Sequence, residues 1–173
     1  MDRMFTGLHK MDQQLFYKIN GSKLYRSFFG AITHLGGSKI SILSILSLAF
    51  ISLFYPSIRP AVLQAFLVLS VSHIIMHFIK RSVKRIRPYL SLPDVMLHGH
   101  PFEDHSFPSG HTTAIFSITI PFMLQFPAVI VILFPISVLV AYSRVVLGVH
   151  YPSDVMAGAF LALCTAMLVS FLY

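Results

Sequence analysis

Uncharged stretches organise the chain. Lys, Arg, Asp and Glu are absent from four of them, residues 40–58, 60–79, 111–143 and 155–173. A transmembrane helix needs about 20 apolar residues, so the first, second and fourth stretches each predict one span. The third would be roughly 50 Å long as a single helix, too long for one crossing. Pro127 disfavours helical backbone at Phe126, which predicts a tight turn at the sequence QFPA, residues 125–128. The pattern therefore predicts five transmembrane helices, at about residues 39–58, 60–80, 111–125, 127–144 and 153–172.

The residues before the first apolar stretch, 1–38, have a different character. Positive charges are interspersed there with Met, Phe, Leu and Tyr, at Arg3, Lys10, Lys18, Lys23 and Arg26. This mixture predicts an amphipathic segment lying on the membrane surface. Residues 27–38 could continue that segment or lead into the first span. The predicted fold is an all-α integral membrane protein, a single-domain helical bundle over residues 1–173 with about five transmembrane helices and an N-terminal amphipathic interfacial helix.

Composition excludes a soluble domain. Hydrophobic residues make up 55% of the 173 residues and charged residues 11%, and the mean hydropathy is +0.76. The net charge of +7 would suggest nucleic acid in a soluble protein. Here the cations flank apolar spans, so anionic lipid or an anionic substrate is the better partner, and no nucleic acid is predicted. The single cysteine, Cys164, excludes an intrachain disulfide.

The order of the spans brings three polar stretches to one face of the membrane. The second span ends, and the third begins, on the same face, because only a polar loop joins them. The third and fourth spans form a hairpin, so the fourth returns to that face. The stretches KRSVKRIRP (80–88), FPSGH (107–111) and SRVVLGVHYPSD (143–154) therefore predict one composite site.

The first stretch offers cations for an anionic group. Lys80, Lys84 and Arg87 are spaced i, i+4, i+7, which predicts that they share one helix face. Pro88 then stops or turns the helix. A guanidinium can hold two phosphate oxygens at once. The alternative is a basic patch that contacts lipid head groups, and Arg81 and Arg85 fit that role in either case.

The second stretch predicts a phosphate site at a helix N-terminus. Ser109 is a favoured N-cap residue, and Gly110 allows backbone to approach a ligand closely. The first N–H groups of a helix have no intrahelical acceptor and face an anion well. His111 would then project beside the bound group. An ordinary capped helix that enters the bilayer is the alternative.

The third stretch places two titratable groups one helical turn apart. His150 and Asp154 are spaced i, i+4, so Asp154 can accept a hydrogen bond from one ring nitrogen and leave the other nitrogen with a free lone pair. Pro152 fits the first turn of a helix, and Arg144 adds a cation. A buried His–Asp pair that stabilises a turn is the alternative.

Together the stretches resemble the signature of the type 2 phosphatidic acid phosphatase superfamily, the lipid phosphate phosphatases. That signature reads K-x6-R-P, then P-S-G-H, then S-R-x5-H-x3-D, and every position is present here between residues 80 and 154. The resemblance implies hydrolysis of a membrane lipid phosphate or diphosphate without a metal or other cofactor. Phosphatidylglycerophosphate and undecaprenyl diphosphate are the substrates it suggests.

The resemblance also implies a role for each motif residue. His150 is the expected nucleophile, Asp154 orients it, and His111 is the general acid and then the general base. The expected ligands of the phosphate oxygens are Lys80, Arg87, Ser109, Gly110 and Arg144. The nearby cations also favour a neutral His150, the form that can attack phosphorus.

Several alternatives remain open at this stage. A non-catalytic lipid-binding or transport protein would keep the cations but would not need His111, His150 and Asp154 together. The loop 89–108 could cover the site or be solvated, and solvation is the simpler interpretation. His73 and His77 are expected to make hydrogen bonds between helices. Oligomeric state cannot be read from the sequence.

Two signals in the sequence predict opposite membrane orientations. The basic N-terminal segment shares the face of the site, and the positive-inside tendency would place that face in the cytoplasm. The resemblance implies the extracytoplasmic face of the cell membrane. Since Lys80, Arg87 and Arg144 serve the substrate, they do not count as topogenic charges, and we predict an extracytoplasmic site in a multi-pass protein.

Overall fold

A computed structural model describes residues 2–20, 26–99 and 101–172, with side chains from residue 9 onward. Residue 1, residues 21–25 with Lys23, His100 and Tyr173 lie outside the described residues, as does the side chain of Arg3. The described parts contain α-helices and short 3₁₀ turns and no β-strand. The α-helices are α1 Asp2–Asn20, α2 Arg26–Ile32, α3 Ser38–Phe54, α4 Arg59–Val83, α5 Pro88–Ser91, α6 Gly110–Gln125, α7 Ile130–Val146 and α8 Pro152–Leu172.

The apolar stretches form the long helices, as predicted. Three segments of the described chain are long and apolar enough to cross a membrane, and they contain α4, α7 and α8. Residues 26–36 and α3 together make a fourth candidate that is bent by 53°. The turn predicted at QFPA is also present, because α6 ends at Gln125 and a 3₁₀ turn, Pro127–Val129, leads into α7. The chain is a multi-pass membrane protein.

Helix α6 lies at the centre of the bundle. Its 16 residues extend about 24 Å, and it packs against α3, α4, α7 and α8. Most of its side chains are buried, from Thr112 to Met123. The neighbouring helices therefore surround α6, and the other long helices form the outer surface.

The distribution of polarity is inverted relative to a soluble protein. Large apolar side chains point outward, and Phe160 on α8 is 67% exposed. Hydroxyl side chains lie inside, where Ser117 on α6 is fully buried and contacts the Ser72 hydroxyl of α4 at 2.9 Å. Thr119 contacts Ser137 of α7 at the same distance. Since lipid is as apolar as leucine, small residues and interhelical hydrogen bonds rather than apolar burial hold such helices together.

Two glycines allow close packing around the start of α6. A Cβ atom on Gly36 would lie 2.5 Å from the His111 carbonyl oxygen, and one on Gly158 of α8 would lie 2.7 Å from the Ser109 carbonyl oxygen. Backbones can therefore approach α6 from two sides at its N-terminus. These contacts fix the position of the stretch that contains Ser109, Gly110 and His111.

Helix α1 packs at the same end of the bundle, against α7 and α8. Its Phe16 is fully buried, with its ring centroid 5.7 Å from that of Tyr151. Its last residue, Asn20, donates a 3.0 Å hydrogen bond to the Val146 carbonyl oxygen. The sequence indicated only surface amphipathicity for this segment, whereas the structure gives it a docked inner face.

Candidate active site

The three polar stretches meet at one end of the bundle, in a cavity of about 400 Å³. Six of the eight predicted site residues line it, namely Lys80, Arg87, Gly110, His111, Arg144 and His150. Ser109 and Asp154 are fully buried and do not line the cavity. Ile42, Leu69 and Met76 also line the cavity, so a polar end and an apolar side share one space.

Arg87 reaches the cavity by a different route from the predicted one. Helix α4 ends at Val83, and Lys84 adopts a left-handed conformation with φ 49° and ψ 36°. The expectation that Lys80, Lys84 and Arg87 share a helix face is therefore wrong. The left-handed residue turns the chain out of the helix four positions before Pro88, so that Lys84 is exposed and Arg87 is only 2% exposed.

The guanidinium of Arg87 is aimed at His150. Its Nη1 donates a 2.9 Å hydrogen bond to the Val149 carbonyl oxygen and lies 3.3 Å from Nε2 of His150. Because a guanidinium can only donate, this contact places the lone pair of a neutral imidazole on Nε2 and its proton on Nδ1. The nitrogen that faces the cations is thus the one able to attack an electrophile.

His150 lies between α7 and α8 and is 1% exposed. Its backbone N–H donates to the Arg144 carbonyl oxygen at 3.3 Å, which holds the connection against the end of α7. Burial lowers the pKa of His150 well below its usual value, and the positive charges of Arg144, Arg87 and Lys80 lower it further. The imidazole is therefore neutral at physiological pH, as the sequence predicted.

Asp154 lies beside Nδ1 of His150, as a neighbour of the ring, but does not hydrogen-bond to it. Its Oδ2 lies 3.6 Å from Nδ1 of His150, beyond hydrogen-bonding distance. The same oxygen accepts a 2.8 Å hydrogen bond from the Tyr151 N–H, so the carboxylate is turned toward the N-terminus of α8. Nδ1 is buried and has no hydrogen-bond partner among the described residues.

The FPSGH stretch begins α6, as predicted, but its serine behaves differently. No side chain caps the first turn of α6, and the Ser109 hydroxyl instead accepts a 3.1 Å hydrogen bond from the Thr112 hydroxyl. The Ser109 N–H donates to the Asp154 carbonyl oxygen at 3.0 Å, which links the start of α6 to α8. Gly110 and His111 face the cavity beside the N-terminus of the helix.

Arg144 contributes unpaired donors. It is 3% exposed and its Nη1 donates a 2.6 Å hydrogen bond to the Thr33 hydroxyl. Its Nε and Nη2 are buried and have no hydrogen-bond partner among the described residues. Buried donors without acceptors are costly in a folded protein, so an anion in this cavity would satisfy both.

Two residues of the loop between α5 and α6, Phe102 and Asp104, line the cavity. Residues 98–99 and 101–104 are exposed, so the loop borders the site and is also solvated. Its Asp104 pairs with both Lys80 and Arg87. Its Phe102 ring lies 4.7 Å from the Arg87 guanidinium and 5.2 Å from that of Arg144. Partial burial raises the pKa of Asp104, but hydrogen bonds and charge from the two cations lower it to about 2. The Asp104 carboxylate therefore contacts the two cations that a bound phosphate would need.

Four contributors to the site were not identified from the sequence. Thr33, Asp104, Asp12 and Arg85 lie far from their partners along the chain, and no local spacing marks them. Arg85, interpreted as a residue for lipid head groups, instead donates to the Asp154 carboxylate at 2.6 Å. His73 also differs from expectation, because its Nδ1 contacts the Leu69 carbonyl oxygen of its own helix at 2.9 Å rather than another helix.

Comparison with known proteins agrees with the resemblance. The profile of the PAP2 superfamily matches residues 61–173. Phosphatidylglycerophosphatase B of Bacillus subtilis is 32% identical over 149 residues, which cover 80% of this chain and 70% of that protein. An undecaprenyl-diphosphatase of Sulfolobus acidocaldarius is 40% identical over 46% of this chain and 39% of its own length. A lipid A 1-phosphatase of Rhizobium johnstonii is 36% identical over 56% of this chain and 43% of its own length. The chain spans about two-fifths of the length of the first curated relatives it matches.

Solved structures share the fold. The crystal structure of a transmembrane PAP2-type phosphatidylglycerolphosphate phosphatase from Bacillus subtilis superposes with a TM-score of 0.77 and 23% identity, covering 96% of this chain and 86% of that one. The crystal structure of Aquifex aeolicus LpxE gives a TM-score of 0.74 and 26% identity, covering 92% and 94%.

Proposed function

The chain belongs to the PAP2 superfamily, and on that basis we propose that it hydrolyses the terminal phosphate of a membrane lipid phosphate or diphosphate. The relatives named above are phosphatases by name, which supports an enzyme rather than a lipid-binding or transport protein. Phosphatidylglycerophosphate and undecaprenyl diphosphate are the substrates that we favour. The reaction uses the side chains of this chain and no metal ion.

In the first step, Nε2 of His150 attacks phosphorus. A nitrogen–phosphorus bond forms as the bond to the leaving oxygen breaks, and His111 transfers a proton to that oxygen. The lipid leaves as an alcohol from a monoester, or as a monophosphate from a diphosphate. The phosphorylated imidazole then carries a proton on Nδ1 and a positive charge, which the carboxylate of Asp154 balances.

In the second step, water attacks the phosphohistidine. His111, now neutral, accepts a proton from the water, and the nitrogen–phosphorus bond breaks to return its electron pair to Nε2. Inorganic phosphate leaves the cavity. Throughout both steps, Lys80, Arg87 and Arg144 neutralise the negative charge that spreads over the phosphate oxygens, which is the main requirement of phosphoryl transfer.

The observation that carries this proposal is the surroundings of Nε2. A neutral, buried imidazole presents its lone pair toward Arg87 at 3.3 Å. Lys80, His111 and Arg144 line the same cavity, and two donors of Arg144 have no partner among the described residues. A binding protein would need the cations, but it would not need a neutral nucleophile and a second histidine among them. The apolar residues Ile42 and Leu69 on the side of the cavity suit the first part of a lipid chain.

The test is phosphate release by the purified, detergent-solubilised protein in excess EDTA. Phosphatidylglycerophosphate, undecaprenyl diphosphate and a lipid A 1-phosphate are supplied side by side. We expect release from at least one of the first two, inhibition by vanadate, and an acid-labile phosphoenzyme when the reaction is quenched. Release only after a divalent metal is added, or from none of the three lipids, would overturn the proposal.

We also propose a membrane arrangement, which the family resemblance supports. The proposed bundle crosses the membrane five times, through α3, α4, α6, α7 and α8, with α1 at the interface. We place the site on the extracytoplasmic side, as the family resemblance implies, since cations that bind the substrate do not count as topogenic charges. Intact spheroplasts should therefore hydrolyse an added substrate that cannot cross the membrane. Activity that appears only after lysis would place the site on the cytoplasmic side.

A further inference from the structure

A chain of alternating charges runs from α1 to the candidate nucleophile. Asp12 on α1 accepts a 2.6 Å hydrogen bond from Nη2 of Arg85. Nη1 of Arg85 donates to Oδ1 of Asp154 at 2.6 Å, and Oδ2 of Asp154 faces Nδ1 of His150 at 3.6 Å. The order of groups is imidazole, carboxylate, guanidinium, carboxylate. Only His150 in this series changes its charge in the proposed reaction.

Ser153 ties the outer end of this series to α8. Its backbone N–H donates to Oδ1 of Asp12 at 3.0 Å and its hydroxyl donates to Oδ2 at 2.6 Å. Nη1 of Arg85 also lies 2.7 Å from that hydroxyl oxygen. The first N–H groups of a helix have no intrahelical acceptor. Here the Asp12 carboxylate of α1 is the acceptor for one such N–H group of α8. Helix α1 therefore supplies hydrogen-bond acceptors to the turn of α8 that contains Asp154.

The position of Arg85 is fixed from a second direction. Its guanidinium lies 4.0 Å from the centroid of the Tyr151 ring, a cation–π distance. The Tyr151 hydroxyl contacts the Ser91 hydroxyl at 2.8 Å, and the buried Phe16 of α1 packs on its ring. The side chain of Arg85 is 19% exposed, and the two carboxylates that it joins are 9% exposed at Asp12 and fully buried at Asp154. The arginine therefore has little freedom to leave the carboxylate.

The physical need for this arrangement lies in Asp154. A carboxylate buried beside an apolar bundle is strongly destabilised unless it is paired and hydrogen-bonded. Arg85 provides the pairing, but a fully neutralised Asp154 would stabilise a cationic His150 poorly. Asp12 neutralises part of the positive charge of Arg85, so less of that charge is available to neutralise Asp154. The balance leaves Asp154 ionised and still able to stabilise the imidazolium that forms when His150 is phosphorylated.

We infer that Arg85 and Asp12 form a positioning clamp that sets the charge and orientation of Asp154, so that α1 contributes to the rate of the first chemical step. Neither residue lines the substrate cavity, and the K-x6-R-P signature does not specify the residue at position 85. This inference rests on the proposed function, since it concerns the partner of the nucleophile in that reaction.

The experiment is a single-turnover measurement of phosphoenzyme formation with enzyme in excess, because that rate constant does not depend on the fraction of folded protein. Arg85→Gln should lower it by about 10- to 100-fold, the effect expected for loss of a hydrogen bond to a charged group, with little change in KM. Arg85→Lys keeps one charge without the fork that reaches both carboxylates, and should restore part of the rate. Lys84→Gln, at the exposed neighbouring position, is the matched control and should not change it.

A double-mutant cycle tests the role of α1. Asp12→Asn alone should slow phosphoenzyme formation by about 3- to 10-fold, and it should add almost nothing in the Arg85→Gln background, because its effect passes through the arginine. If Arg85→Gln does not fold, Asp12→Asn and Arg85→Lys carry the test. Wild-type rates in those variants, or full additivity, would overturn the clamp and leave the proposed function intact. An inactive wild-type protein would instead overturn the proposed function.

Discussion

Two segments build the phosphate end of the cavity in opposite ways. The nucleophile segment, residues 143–154, is buried at every position except the half-buried Ser153. The basic-loop segment, residues 84–108, is exposed at half of its described positions, and its buried positions among them are Arg87, Pro88, Ser106 and Pro108. The first segment is held by the close-packed ends of α7 and α8, whereas the second is held by the ions it pairs. Substitutions should therefore be costly throughout the nucleophile segment, whereas in the basic-loop segment they should be costly at the paired cations Arg85 and Arg87 and mild at the exposed positions.

The largest effect is expected at His150. His150→Ala removes the attacking nitrogen, and we expect turnover to fall by about 10⁴-fold or more with no phosphoenzyme formed. His77→Ala, an exposed histidine on α4, is the control and should behave as wild type. Phosphate release and phosphoenzyme trapping check both variants. A His150→Ala protein that retains a substantial rate would mean that another group attacks phosphorus.

A conservative change in the same segment should still be costly. Arg144→Lys keeps the positive charge but loses the planar guanidinium. Its Nη1 binds Thr33, and its Nε and Nη2 have no partner in the part of the chain that the structure describes. We expect kcat/KM to fall by about 10- to 100-fold, because an ammonium cannot hold two phosphate oxygens in one plane.

The matched control for Arg144→Lys is Arg81→Lys, an exposed position on α4, which should leave kcat/KM unchanged. Steady-state kinetics on the same lipid decide the outcome. Equal kcat/KM for Arg144→Lys and wild type would show that charge alone is needed at this position. The nucleophile segment would then be less demanding than its burial indicates.

The difference between the segments also explains what the sequence could predict. The apolar stretches predict the long helices, and the spacing of His150 and Asp154 predicts that their side chains are neighbours, but not that they stay 3.6 Å apart. The helix predicted at residues 111–125 agrees with α6, Gly110–Gln125, to within one residue, because Pro127 marks its end. Hydropathy could not show that Lys84 leaves the helix.

Contacts between distant residues were beyond the sequence. The hydrogen bonds from Arg85 to Asp12 and Asp154 join positions about 70 residues apart, and nothing in the spacing of KRSVKRIRP separates Arg85 from an exposed neighbour such as Lys84. The pairing of Asp104 with Lys80 and Arg87 likewise depends on how the loop folds back. In each case the tertiary structure determines which of several charged residues forms the contact, although those residues are equivalent in the sequence.

The smallest effect, and the one opposite in sign, is expected at Asp104. Its carboxylate contacts Lys80 and Arg87, the cations that a bound phosphate would use, but its side chain is 52% exposed. Exposed ion pairs contribute about 0–1 kcal/mol each. Asp104→Asn should therefore tighten inhibition by inorganic phosphate by only a few-fold, and Glu103→Gln, an exposed change in the same loop, should have no effect.

The pH dependence of the phosphate inhibition constants gives a second test of the role of Asp104. The two cations lower the pKa of Asp104 to about 2, so its carboxylate stays ionised, and stays a competitor, at every pH above that value. The ratio of the phosphate inhibition constants of wild type and Asp104→Asn should then stay constant between roughly pH 5 and 8, whatever the protonation of phosphate does to each constant. A ratio that falls toward one on acidification, or weaker inhibition in Asp104→Asn, would mean that Asp104 organises the cations for phosphate instead of competing for them. The basic-loop segment would then be as much a part of the framework as the nucleophile segment.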